Sequence, residues 1–142
     1  MAEKIISLKF EPLFKNVDEA RTAVHNACRE RYLQSGSESL INELLLAVTE
    51  AMNNAVEHSG GKEVEIELLS VPAGFIFRII TIGERFDPTA GIAFPDLDAA
   101  EELPEGGFGR ALIAAMVDSM KYEYREGRNI LTLEKNIISK ED

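Results

Sequence analysis

Three groups of residues have the types and spacing to do chemistry. The first is Glu50-Ala-Met-Asn-Asn54, in which a carboxylate and a carboxamide stand four residues apart. On a helix that spacing puts both on one face, one turn apart, so both can address one ligand. The carboxylate could polarise an attacking hydroxyl or water, and the amide oxygen could coordinate a hard cation held by phosphates. The same spacing also suits two ordinary solvent-facing side chains. The second group is Glu105-Gly-Gly-Phe-Gly109-Arg-Ala-Leu, where glycines run straight into a helix start. Free backbone N–H groups and the helix dipole favour phosphate there, although a flexible loop before a helix reads identically. Arg110 in that first turn either touches a terminal phosphate or points to solvent. The third is Thr81-Ile-Gly83-Glu-Arg85-Phe-Asp87-Pro88, which leaves the end of a strand with Gly83 suited to a tight turn or a close ligand approach.

The elements that must position these groups are legible from periodicity. Residues 4 to 11 alternate, with Ile6, Leu8 and Phe10 on one face, as a half-buried strand does. Asn16, followed by Asp18 and Glu19, reads as a cap and acidic first turn of a helix running to about Gln34. Ser37 then starts a second helix, Glu38 to His58, with Leu40, Leu44, Val48, Met52 and Ala55 as its core stripe. A partly polar stripe of Glu43, Ala47, Glu50, Asn54 and Glu57 is placed to floor a cleft. His58 at the helix end suits the dipole there, and no catalytic role is assigned to it. After Gly60-Gly61, the segments EVEIELL and GFIFRIITI form a hairpin across Val71-Pro72-Ala73-Gly74. Residues 83 to 106 form a long loop with an acidic stretch, a helix covers FGRALIAAMVDSM, and KYEYRE with NILTLEK closes the chain as a hairpin around Gly127-Arg128. The order β-α-α-β-β-loop-α-β-β predicts an α+β two-layer sandwich, with a mixed, mostly antiparallel sheet and its helices on one face.

Composition limits what such a domain can do. The 142 residues suit one domain, so residues 1–142 are read as a single unit with one site. With 45% hydrophobic and 28% charged residues, and no apolar run of spanning length, a soluble cytoplasmic protein is expected, without membrane contact. The alternating N-terminus reads as a strand instead of a signal peptide. A net charge of −10 opposes counterion-release binding to nucleic acid and favours a partner with a basic face. Cys28 has no second cysteine to pair with, and His25 with Cys28 alone does not make a metal site. No Ser-His-Asp order and no nucleophile elbow is present.

Taken in this order and at these separations, the three groups resemble the N, G1 and G2 boxes of the Bergerat (GHKL) ATPases. Within that superfamily the likeness is greatest to the bacterial anti-sigma-factor serine kinases, through LLLAVTEAMNNAVEHS, the FDP after the G1 box, and GGFGRALIAAMVDSMKYEYREGRNILTLEK. The resemblance covers almost the whole chain. It implies the Bergerat fold with ATP and Mg²⁺ as cofactors, Glu50 as general base and Asn54 as Mg²⁺ ligand. It further implies Thr81 and Gly83 at the nucleotide, and Gly107, Phe108, Gly109 and Arg110 in a phosphate-binding lid. The implied activity is phosphorylation of a serine on a small STAS-type anti-sigma antagonist, in a homodimer that also holds a sigma factor and so regulates transcription. Where the family has Asp-x-Gly-x-Gly, this chain has Thr81 and Arg85 in place of the acid and the second glycine. Loss of a charged acceptor costs about 1.5–3 kcal/mol unless another group replaces it. A non-catalytic partner-switch module that has weakened or lost its nucleotide is the alternative.

Overall fold

A computed structural model describes residues 2–32, 37–87 and 107–137, with residues 107–110 described by their backbone alone. Five strands and three helices follow the predicted order: β1 (Glu3–Phe10), α1 (Phe14–Arg31), α2 (Glu38–His58), β2 (Val64–Val71), β3 (Gly74–Ile82), α3 (Gly107–Met116), β4 (Ser119–Arg125) and β5 (Arg128–Asn136). The sheet order is β1-β2-β3-β5-β4. Among the described residues every pairing is antiparallel, in keeping with the mostly antiparallel sheet expected, and none is parallel. The reason is connectivity: β2–β3 and β4–β5 are hairpins, and the long connection through α3 brings β4 back to the outer edge of β5 instead of alongside β3.

One face of the sheet carries the core. Val64, Ile66 and Leu68 of β2, Phe75, Phe77 and Ile79 of β3, and Leu131 and Leu133 of β5 are buried at a period of two. Against them lies α2, whose Leu44, Val48 and Met52 are fully buried as the core stripe predicts. Helices α1 and α3 pack on either side of it. Ile6, Leu8 and Phe10 of β1 stand opposite Leu68, Ile66 and Val64, so the predicted face is the core face. Leu8 nevertheless stays 39% exposed, because β1 is an edge strand that the helices only partly cover.

Boundaries of α1 and α3 differ from the sequence reading, while α2 spans Glu38–His58 as expected. Helix α1 starts at Phe14 after Leu13, two residues before the predicted cap. Asn16 does not cap it; its side-chain amide donates to the Glu11 carbonyl at 3.0 Å, which fixes the chain entering the helix. Asp18 and Glu19 consequently fall beyond the first turn. Ser37 does occupy the N-cap of α2, its carbonyl accepting from the Ile41 N–H at 3.0 Å, but its hydroxyl makes no capping bond. Helix α3 stops at Met116, four residues before the predicted end. The Asp118 N–H donates to the Glu134 carbonyl at 2.8 Å and the Asp118 carboxylate accepts from the Asn136 N–H at 2.6 Å. Those bonds register β4 on β5, and Met120, apolar enough to read as helix, packs inward from a strand.

The two hairpins close differently. Glu126 and Gly127, at φ 53° and 77°, form the left-handed two-residue turn that matches strand twist. Gly74 is required by space: a Cβ there would lie 2.0 Å from the Lys135 carbonyl oxygen.

Candidate functional site

At the C-terminal end of α2 the sheet and helix part to leave a cavity of about 40 Å³. From α2, Ala51, Asn54, Ala55 and His58 line it at helical spacing; from the sheet come Ile79, Thr81, Tyr122, Asn129 and Leu131, and Phe86 closes one side. Of the stripe Glu43, Ala47, Glu50, Asn54 and Glu57, Asn54 alone lines the cavity. Ala47 is fully buried, and Glu43 is engaged by Lys135 Nζ at 2.6 Å. Glu50 is half-buried one turn before Asn54 on the same face of α2, beyond the cavity wall.

Thr81 and Asn129 are direct partners across the β3–β5 pair, and both point to the helix-covered face. Asn129 organises the segment that follows β3. Its Oδ1 accepts from the Phe86 N–H at 2.8 Å and from the Tyr122 hydroxyl, while its Nδ2 donates to the Glu84 carbonyl at 2.9 Å. The Phe86 N–H also reaches the Tyr122 oxygen at 3.2 Å. Burial pushes the Tyr122 phenol above its usual range, while the Phe86 N–H and the Arg85 charge pull it down. Gly83 adopts φ +148°, a conformation that favours glycine, with its N–H on the Gly127 carbonyl and its own carbonyl held by the Tyr124 hydroxyl at 2.9 Å.

Arg85 has an ordinary backbone conformation, so the glycine freedom of the family pattern is not needed there. Its guanidinium lies 5.6 Å from the centre of the Tyr122 ring, a cation–π distance. The stacking partner is a side chain of this protein. Phe86 in turn stacks on His58 with ring centres 4.0 Å apart, so His58 at the helix end is a wall of the cavity.

One polar group in the cavity wall has no protein partner: Nδ2 of Asn54 is buried without a hydrogen bond among the described residues. An orphaned buried amide is costly, about 1–3 kcal/mol, unless something else binds it. The two ends of a carboxamide are nearly isosteric, so a half-turn presents the oxygen instead. The donor set therefore fits either a ligand acceptor or a cation shared with phosphate oxygens. Gly107 and Gly109 stand in the first turn of α3, which packs alongside α2, so the glycine-led helix start and the Glu50–Asn54 helix are neighbours. The side chains of Phe108 and Arg110, and the whole of residues 88–106, lie outside what is described. Among the described residues no cluster of three metal-ligating side chains occurs, and no helix is long and apolar enough to cross a membrane.

Tyr122, Asn129, Phe86 and His58 were not selected from sequence. Asn129 carried a signal, as an amide at an inward position of a strand whose next two inward positions are Leu131 and Leu133.

Comparison with known proteins agrees with this geometry. The Histidine kinase-like ATPase domain family matches residues 10–135. Serine/threonine-protein kinase BtrW of Bordetella bronchiseptica is 28% identical over 113 residues, 77% of each chain. Serine-protein kinase RsbW of Oceanobacillus iheyensis is 32% identical over 104 residues, 64% of this chain and 63% of that one. A chain of the SiaB–SiaC complex from Pseudomonas aeruginosa superposes with a TM-score of 0.65 at 15% identity, covering 92% of this chain and 89% of its own. A chain with the RsbU and RsbW domains from Mycobacterium tuberculosis gives 0.59 at 17% identity, over 92% of this chain and 32% of its own. These two share the fold. An antiparallel sheet with its helices on one face, a cavity between α2 and the β3–β5 pair, and a family match spanning nearly the whole sequence lead to one conclusion: this chain belongs to the histidine kinase-like ATPase domain family.

Proposed function

We propose that this protein is an ATP-binding anti-sigma regulatory factor that phosphorylates a serine of a small STAS-type antagonist in a partner-switching pathway. The observation that carries the reading is Asn54: its amide Nδ2 is buried without a hydrogen-bond partner among the described residues, on a side chain that lines a cavity at the end of the helix that also bears Glu50. Similarity to two proteins named serine kinases supports the same reaction class. In this proposal Glu50 orients the serine hydroxyl and accepts its proton, a role open to a half-buried carboxylate with no protein partner among the described residues. Asn54 would hold Mg²⁺ through its amide oxygen, and the ion, when bound, would offset charge on the phosphates. Thr81 and Gly83 flank the base end. Gly107 and Gly109 supply backbone N–H groups at the start of α3, and Phe108 and Arg110 complete the lid. A homodimer in the cytoplasm that captures a sigma factor belongs to the same proposal; exposed Leu8, Leu13 and Phe14, running from the free edge of β1 into α1, are compatible with a subunit contact.

The test is labelling of the cognate antagonist by this protein with radiolabelled ATP and Mg²⁺. Glu50→Ala is expected to abolish the label while circular dichroism stays that of the wild type, and undiminished labelling refutes the role of Glu50. A second reading is favoured by the same cavity: its described lining holds no carboxylate, and its volume is small. It is a non-catalytic partner-switch module whose activity is contact alone. Calorimetric titration with ATP and Mg²⁺ separates the two, since micromolar binding removes the basis for the second.

A further inference from the structure

The cavity at the end of α2 is half-open and offers about 40 Å³, room for roughly three waters. The polar groups that line it decide which edge of a planar base is accepted. Among the described residues none of those groups is acidic. Thr81 presents a hydroxyl, which donates or accepts as the ligand requires. Across the strand pair, the oxygen of Asn129 already accepts from the Phe86 N–H and the Tyr122 hydroxyl, and one of its N–H bonds goes to the Glu84 carbonyl. It cannot serve as the missing acceptor and has one N–H to offer.

We propose that this pocket does not discriminate a 6-aminopurine from a 6-oxopurine nucleotide, because the Thr81 hydroxyl can meet either a donor or an acceptor on the base edge. The proposal rests on the nucleotide-binding reading above. A carboxylate at Thr81 would accept only, and would repel a ring carbonyl; a hydroxyl accepts the amino group of adenine and donates to the oxygen of hypoxanthine at similar cost.

The experiment titrates the full chain with ATP and, separately, with ITP at fixed excess Mg²⁺, by calorimetry, with thermal shift as a second readout. The expected result is a ratio of dissociation constants within tenfold of one. Preference beyond tenfold for either nucleotide overturns the proposal. Thr81→Asp should move the ratio more than tenfold towards ATP, and an unchanged ratio in a folded Thr81→Asp protein overturns the placement of Thr81 at the base. Thr81→Val, nearly isosteric, should weaken both nucleotides together, and weakening of one alone has the same overturning force. Binding of neither nucleotide by the wild type removes the nucleotide reading itself, an outcome distinct from a skewed ratio.

Discussion

Replacing Asn129 by alanine removes the side chain that ties the end of β3 to β5 and β4. The wild-type carboxamide accepts from the Phe86 N–H at 2.8 Å and from the Tyr122 hydroxyl, and donates to the Glu84 carbonyl at 2.9 Å. In the variant the Phe86 N–H keeps only its longer bond to the Tyr122 oxygen, at 3.2 Å. Each neutral hydrogen bond contributes about 0.5–1.5 kcal/mol net. Water can reach part of this segment, so the summed loss is about 1–3 kcal/mol, and its middle value of about 2 kcal/mol corresponds to roughly a 30-fold change in an opening equilibrium. The perturbation is local: Gly83 remains anchored to Gly127 and Tyr124. Amide hydrogen exchange at Phe86, followed by NMR, should therefore accelerate about 30-fold, while the amide of buried Ile79 in mid-β3 keeps its wild-type rate. Asn129→Asp retains the acceptor for Phe86 but sets a carboxylate oxygen against the Glu84 carbonyl, so Phe86 should exchange faster than in the wild type. Unchanged exchange at Phe86 in the alanine variant, or equal acceleration at Ile79, would show that Asn129 does not hold this segment.

Other substitutions probe the frame around the site. Lys135 is 6% exposed and pairs with Glu43 at 2.6 Å, so Glu43→Ala, which strands a buried ammonium, should cost about 2–3 kcal/mol in urea unfolding. Replacing both partners by Met and Leu should cost less than that single change. Gly74→Ala places a Cβ against the Lys135 carbonyl oxygen and should destabilise the fold by about 3 kcal/mol or more, read as a fall in the urea midpoint. Burial raises the Cys28 thiol from 9.0 to about 12, so the folded state keeps its proton where the unfolded chain loses it. Its contribution to stability is intact below pH 9 and declines as pH rises towards about 12. The decline approaches about 1.4 kcal/mol per pH unit. Cys28→Ala should flatten that part of the stability curve, and the native thiol should resist a disulfide reagent at pH 8 that labels it on unfolding.

Much of this protein is written in local pattern. The period of two in β2, β3 and β5 and the long uninterrupted stripe of α2 needed no tertiary information, because a side chain's face follows from its position in the strand or helix. Asn54, Thr81 and Gly83 were likewise identifiable by motif, and the cavity is lined by the first two, with Gly83 turning the chain at its rim. Local pattern failed where a bond from elsewhere in the chain set the outcome. Asn16 looked like a cap until Glu11 claimed its amide, and Met120 looked helical until Asp118 registered β4 on β5. The wall of the site lies in the same category. His58, Phe86 and the hairpin bearing Tyr122 and Asn129 come from three separate stretches of chain, and no spacing rule links groups whose relation is that the sheet order brings β5 beside β3, with β4 outside it, under the end of α2. Sequence alone therefore determined which groups could do chemistry and on which faces they stood. Tertiary structure decided what they face, because hydrogen-bond partners and ring stacks depend on distance in space.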